Sequence, residues 1–301
     1  MAVIAHTHTG PEKGGNYEYH WSGAYLEAHL ISDVGKKRSR NEDSCAMCAP
    51  DDPRIVQERG LLFAVADGMG GVSGGDFASR LALQTLAEEY YARRESNIPI
   101  RLNESISQAN RRIYQEAENH PEYYGMGTTV SALLIDGDHA YIAQVGDSRV
   151  YLLRKGEPIW QITDDHSLVA EQVRNGYISE QEARTHSLKN LITRAVGTKE
   201  AVNVDLFAVQ LRTGDTLLIC SDGLSNVVEN DQLATAMAGE NLQGAGRVLV
   251  GRALSAGAPD NVTAVLVRAT GALPRTRFHE GAQKVSLTRS GLLGALRRLI
   301  S

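Results

Sequence analysis

Three aspartates stand where apolar runs break into loops: Asp67 closes LLFAVAD, Asp222 closes DTLLICSD, and Asp260 immediately precedes NVTAVLV. Each adjoins a residue that permits a sharp turn and close backbone approach, in Asp67-Gly68, Asp222-Gly223 and Asp260-Asn261. A single Asp-Gly is ordinary turn chemistry. Three acids at apolar strand ends can instead converge at one sheet edge, where a neighbouring carbonyl oxygen can join them. Crowded carboxylates repel and raise one another's pKa, so such a group is stable mainly when a cation neutralises it. Hard oxygen donors without His or Cys select Mg²⁺ or Mn²⁺ over zinc.

A second polar segment, SDVGKKRSRNEDS at 32–44, brings Arg38, Asn41, Glu42 and Asp43 together after a strand-like run. Arginine offers a planar fork that matches phosphate oxygens, and Glu42 and Asp43 can ligate an ion or orient its waters. Alone, this segment reads as a solvated charge run. ADGMGGVSGGDFASR at 66–80 is glycine-dense before a helix, but it has neither the Gly-Lys-Ser/Thr of a nucleotide loop nor GxGxxG in a βαβ unit. Its glycines are expected to let backbone pass close to the acids. Cys45 and Cys48 form a lone CxxC without a second pair or nearby histidine, too little for a zinc or redox site.

The elements that must position these residues alternate. AYLEAHLI, LLFAVA, TVSALLI, HAYIAQV, RVYLL, DTLLICS and NVTAVLV are strand candidates, and helical periodicity occupies about 75–94, 99–119, 229–239 and 241–256. Only Gly146, Asp147 and Ser148 separate HAYIAQV from RVYLL, a spacing that predicts an antiparallel hairpin. Helices with antiparallel strands imply layered α+β packing. Residues 167–196 carry two short helical patterns split by Asn175 and Gly176, an excursion from the sheet that could form a surface flap. Residues 1–22 read as a flexible lead-in, the main domain as 23–268, and 269–301 as a tail ending in the short basic amphipathic stretch SLTRSGLLGALRRLI.

With 301 residues and 42% hydrophobic content the chain can bury a sizeable core, and a formal charge of -5 argues against nucleic acid as a partner. No apolar run approaches the roughly 20 residues that span a bilayer, and MAVIAHTHTGPEKGG lacks the pattern of a signal peptide, so a cytoplasmic location is expected.

In order along the chain, SDVGKKRSRNEDS, VADGMGG, GMGTTVSALLI, AQVGDSRVYLL, DDHSLV, RAVG, CSDGLSN and PDNVTAVLV resemble the PPM (PP2C-like) protein phosphatases, bacterial members above all. The resemblance covers roughly residues 24–268. It implies a four-layer α-β-β-α sandwich of two antiparallel sheets flanked by helices, with two Mn²⁺ or Mg²⁺ ions at one end. Asp67 would bridge both ions, Asp222 and Asp260 would complete the first site, Glu42 and the Gly68 carbonyl would bind the second, and Asp43 would hold metal-bound water. Asp147 matches a residue that helps Asp222 hold a third, weaker ion; its residues alone suggest only a turn. Arg38 matches the phosphate-binding arginine, and 167–196 the family's mobile flap, associated with substrate choice.

The implied activity is hydrolysis of phosphoserine and phosphothreonine on proteins by a metal-activated water, reversing a Ser/Thr kinase, by a cytoplasmic monomer. No Cys-x5-Arg segment is present to supply a nucleophilic thiolate. Met69 stands where animal relatives place a histidine proposed as general acid, and methionine cannot donate that proton. His166 is a candidate donor on chemistry, but it reads first as a structural histidine near the flap. Two other readings of the chain are a regulatory phosphatase of an anti-anti-sigma-type phosphoprotein and a catalytically silent sensor or scaffold.

Overall fold

The computed structural model describes residues 7–276 and consists of two stacked antiparallel sheets with helices outside each. One sheet runs β1 (Thr7–Gly10), β4 (Asp43–Cys48), β5 (Leu61–Met69), β7 (Val130–Asp136), β8 (His139–Val145) and β11 (Asp205–Gln210), with β6 (Gly127–Thr128) on the end of β5. The other runs β10 (Trp160–Gln161), β9 (Arg149–Leu153), β12 (Thr216–Cys220), β13 (Val262–Ala269), β3 (Leu26–Asp33) and β2 (Tyr17–Ser22).

Side-chain alternation along the strands builds the layers. Leu61, Phe63 and Val65 of β5 enter the core between the sheets, with Leu133, Ile142, Leu30, Ile219 and Val265. Leu62, Ala64 and Ala66, one position out of phase, meet Leu83, Leu86, Leu102 and Ile106 of α2 (Gly71–Ala92) and α3 (Ile98–Asn119). On the far side Leu218 and Leu266 meet Leu233, Met237 and Leu249 of α7 (Asn230–Met237) and α8 (Leu242–Ser255). Burying each such side chain is worth roughly 1.5–3 kcal/mol, so strands apolar on both faces stay between layers. The start of α3 is set by Asn97, which accepts from the Ile100 N–H at 3.1 Å, and by Pro99 in its first turn. The remaining helices are short: α1 (Pro53–Arg59), α4 (Leu168–Arg174) and α5 (Glu180–Thr185) in the excursion, and α6 (Asp222–Ser225).

The four-layer α+β expectation holds, and two local expectations do not. HAYIAQV and RVYLL form no hairpin: β8 pairs with β7 and β11, whereas β9 pairs with β12 and β10 in the opposite sheet. A three-residue connector serves a sheet-to-sheet corner as well as a hairpin. Here Gln144 fixes the corner by donating to the Gly146 and Ser148 carbonyls at 3.0 and 2.6 Å, and Gly146 takes φ +104°.

The fold also begins before Gly23. Tyr17–Ser22 pairs with β3 and Thr7–Gly10 with β4, so much of the supposed lead-in is sheet edge. Its apolar residues alternate with polar ones, and Tyr17, Tyr19 and Trp21 pack on the intersheet core. The connecting residues reach the Arg38–Asp43 segment, where the Asn41 N–H donates to the Gly14 carbonyl at 2.9 Å.

Cys45 and Cys48 are three apart on one strand, so one faces the other sheet and the other faces the helices. They cannot chelate one ion together. Downstream of β13, Thr276 donates to the Asp136 carbonyl at 2.6 Å, so the tail remains docked at least that far. The stretch SLTRSGLLGALRRLI lies outside the described residues. Among those residues no helix is long and apolar enough to cross a membrane.

Candidate active site

Sheet topology brings the acids to one end of the sandwich. The strands β3, β5, β8 and β12 finish there, and β4, β9 and β13 start there. Asp43 opens β4 directly opposite Asp67 near the end of β5. Asp222 follows β12 at the start of α6, Asp260 lies just before β13, and Asp147 sits at the corner between β8 and β9.

Gly68 shows why glycine follows the central acid. A Cβ there would lie 2.1 Å from the Gly75 carbonyl oxygen and 2.6 Å from that of Glu42. The first turns of α2 therefore pass against the end of β5, as the glycine-rich sequence suggested. Glu42 is held in place by two backbone bonds: its carbonyl accepts from the Gly68 N–H at 3.2 Å, and its N–H donates to Asn261 Oδ1 at 2.9 Å.

Burial and mutual repulsion dominate the electrostatics. Burial, then Asp43, Asp222, Asp147 and Asp260, push the Asp67 carboxyl well above the usual range. Burial raises Asp43 to about 7 against the lowering bond from Ser221 Oγ, which is 2.7 Å long. Asp222 rises to about 6 through burial and Asp260, and Asp147 goes well above its usual value through burial and Asp222. Glu42 is raised by burial, which outweighs the lowering by Arg38.

Arg38 is the positive group at the rim, with 47% of its side chain exposed. Its guanidinium donates to Asp260 at 2.9 Å and lies 3.8 Å from Glu42. Burial would lower its pKa, but Asp260 and Glu42 raise it instead. Among the described residues no three His, Cys, Asp or Glu side chains are drawn into a ready metal cage. Two oxygens nevertheless lack any hydrogen-bond partner although buried, Asp147 Oδ1 and Asp222 Oδ1. Buried carboxylate oxygens without donors, in a group that holds its protons abnormally tightly, match the donor set a hard divalent cation requires.

Every sequence-predicted acid lies at this end, as do Arg38 and Gly68. Met69 is at the end of β5, paired with Gly127. His166 has both ring nitrogens engaged, with the Gly146 N–H at 3.0 Å and Asp205 at 3.2 Å, which removes it as a free proton donor. The three cysteines are buried and free, and burial raises their thiols. A cavity of about 690 Å³ among Tyr19, Trp21, Tyr25, Val56 and Pro274 lies at the opposite strand ends and contains none of these acids.

Sequence reasoning missed the residues that hold the acids in place. Asn261 donates to the Val34 and Arg40 carbonyls at 2.8 and 2.9 Å, closing the Arg38 loop onto β13. Thr129 Oγ1 accepts from the Asp67 N–H at 2.9 Å and meets Ser148 Oγ at 2.8 Å, joining β5 to the Asp147 corner. Their signal was faint: small polar residues beside each acid motif, in positions otherwise apolar.

A double antiparallel sandwich with outer helices, carrying buried acids and a rim arginine at one end, defines the PPM class of phosphatases. Comparison with known proteins agrees. The family model described as Protein phosphatase 2C matches residues 35–249. The serine/threonine phosphatase stp of Listeria innocua is 36% identical over 247 residues, which is 80% of this chain and 95% of that protein. Stp1 of Staphylococcus aureus superposes with TM-score 0.76 at 34% identity, over 83% of this chain and 97% of that one. The catalytic domain of PstP in complex with two manganese ions gives 0.71 at 35% identity, over 82% and 99%. The chain belongs to the protein phosphatase 2C family and is a protein serine/threonine phosphatase of the bacterial type.

Proposed function

We propose that the acid group holds two Mn²⁺ or Mg²⁺ ions and that Arg38 receives the phosphoryl group of phosphoserine or phosphothreonine in a protein substrate. Asp67 would bridge the ions, with Asp222 and Asp260 on the first and Glu42 and the Gly68 carbonyl on the second. Asp43 would act through water, and Asp147 with Asp222 would take a third, weaker ion. The observation that carries this reading is the pair of buried, unpartnered oxygens, Asp147 Oδ1 and Asp222 Oδ1, among acids that raise one another's pKa. The PstP domain solved with two manganese ions supports the count of two.

Bound there, the cations would supply Lewis acidity and activate water for direct attack on phosphorus. Arg38 would orient the phosphoryl oxygens with its fork and balance charge developing on them. Its present partners, Asp260 and Glu42, keep it poised at the rim. The buried thiols have no nucleophilic part, since burial disfavours the thiolate. Phosphoserine and phosphothreonine monoesters arise from protein kinases, so a Ser/Thr kinase would stand upstream. The chain would act as a cytoplasmic monomer.

The test is phosphothreonine-peptide hydrolysis with Mn²⁺, with chelator, and by Asp222→Asn. Activity should require the cation and vanish in the variant. Full turnover by Asp222→Asn, or in chelator, would overturn the assignment.

A further inference from the structure

His166 is only 2% exposed, and its ring contacts two distant parts of the chain. The Gly146 N–H donates to Nδ1 at 3.0 Å, so Nδ1 carries a lone pair. Nε2 must then hold the proton of the neutral ring, and it donates to Asp205 Oδ2 at 3.2 Å. Arg194 Nη1 lies 3.1 Å from Nε2 but donates to Asp205 Oδ1 at 2.7 Å. Burial would raise the Asp205 carboxyl, but the bonds from His166 and Arg194 outweigh it and hold the group below the usual range.

The backbone of the same residue makes two further ties. Its N–H donates to the Gly146 carbonyl at 3.0 Å, and its carbonyl accepts from the Thr193 N–H at 2.8 Å. One residue therefore joins the sheet-to-sheet corner, the start of β11 and the return end of the 167–196 excursion. Gly146 adopts φ +104°, and a Cβ on it would lie 2.5 Å from Thr129. Glycine takes that conformation without steric cost but loses the most backbone freedom in doing so, and a bond to its amide restrains the corner. The next residue is Asp147, whose buried Oδ1 is one of the two unpartnered oxygens.

We propose that His166 is a positioning residue: through Gly146 it sets the corner that presents Asp147 to the acid group, and through Asp205 and Arg194 it ties that corner to the return end of the excursion. The part concerning Asp147 rests on the reading of that residue as a cation ligand.

The test follows the Gly146 amide by hydrogen exchange in the metal-free full chain and, separately, Mn²⁺ binding by calorimetry. His166→Ala should speed Gly146 exchange by roughly five- to tenfold, the worth of one hydrogen bond, and weaken the weakest Mn²⁺ step by a similar factor. His166→Asn, whose carboxamide oxygen can replace Nδ1 as acceptor, should keep both within about twofold of wild type. His166→Gln places its amide nearer Nε2, should lose the Gly146 contact, and serves as the second variant if alanine does not fold. Unchanged Gly146 exchange in the alanine and glutamine variants overturns the proposal, and so does equal loss in alanine and asparagine, which would mark simple packing. If wild type binds Mn²⁺ nowhere, the cation reading of Asp147 falls, while Gly146 exchange still decides the positioning.

Discussion

Asp43 and Asp67 stand directly opposite each other on adjacent antiparallel strands, each with its carboxyl pushed above the usual range. Like charges facing across a ladder destabilise it. Their placement at the end of the sandwich concentrates negative charge where cation and substrate are proposed to meet.

The first prediction concerns pH. Asp43 moves from 3.8 to about 7 and Asp222 from 3.8 to about 6. Between about pH 4 and 7 the folded metal-free chain thus holds more protons than the unfolded one, so its stability falls as pH rises through that window. Denaturant melts at several pH values in chelator should show this decline, and Asp43→Asn should flatten it. Saturating Mn²⁺ should reverse the trend, because ligation requires the deprotonated acids.

Arg38→Ala should act on substrate binding. Loss of a charge-assisted hydrogen bond to phosphate is worth about 1.5–3 kcal/mol, or roughly a 10- to 100-fold rise in KM for a phosphopeptide, with a smaller change in kcat. Steady-state kinetics at saturating Mn²⁺ reads the split. A fall confined to kcat would assign Arg38 to another step.

Asn261→Ala should destabilise the fold by about 2–4 kcal/mol, since it strands the Glu42 N–H and the Val34 and Arg40 carbonyls. Urea unfolding measures the loss. Mn²⁺ affinity should drop as well, because Glu42 loses one of its two backbone anchors.

Gly223→Ala tests close packing behind Asp222. A Cβ there would lie 1.9 Å from the Asn261 carbonyl oxygen, and the clash is with backbone. Relief requires α6 to move away from β13, at a cost of about 1–3 kcal/mol. A thermal melt unchanged from wild type would show that the contact is looser than its geometry.

The chain order of the acids, their position at strand ends and the requirement for glycine beside Asp67 were legible because apolar runs and turn residues are local signals. So were α2, α3, α7 and α8, whose periodicity extends over several turns. The 146–148 connector was misread because a three-residue link has the same sequence signature whether it closes a hairpin or crosses between sheets. The strand at 7–10 was missed because four residues without a large apolar side chain carry no period, and that at 17–22 because its alternation of Tyr17, Tyr19 and Trp21 with polar residues spans only six positions beside glycine-rich sequence.

By itself, the sequence determined which groups could do chemistry: the carboxylates, one arginine with phosphate geometry, and no suitable thiol. Tertiary structure alone decided which of them meet. Asp43 faces Asp67 through strand register, Asn261 reaches Glu42 across 219 positions, and His166 reaches Gly146 through the fold. Hydrogen bonds and charge repulsion act over a few ångströms in space, and distance along the chain carries no record of that separation.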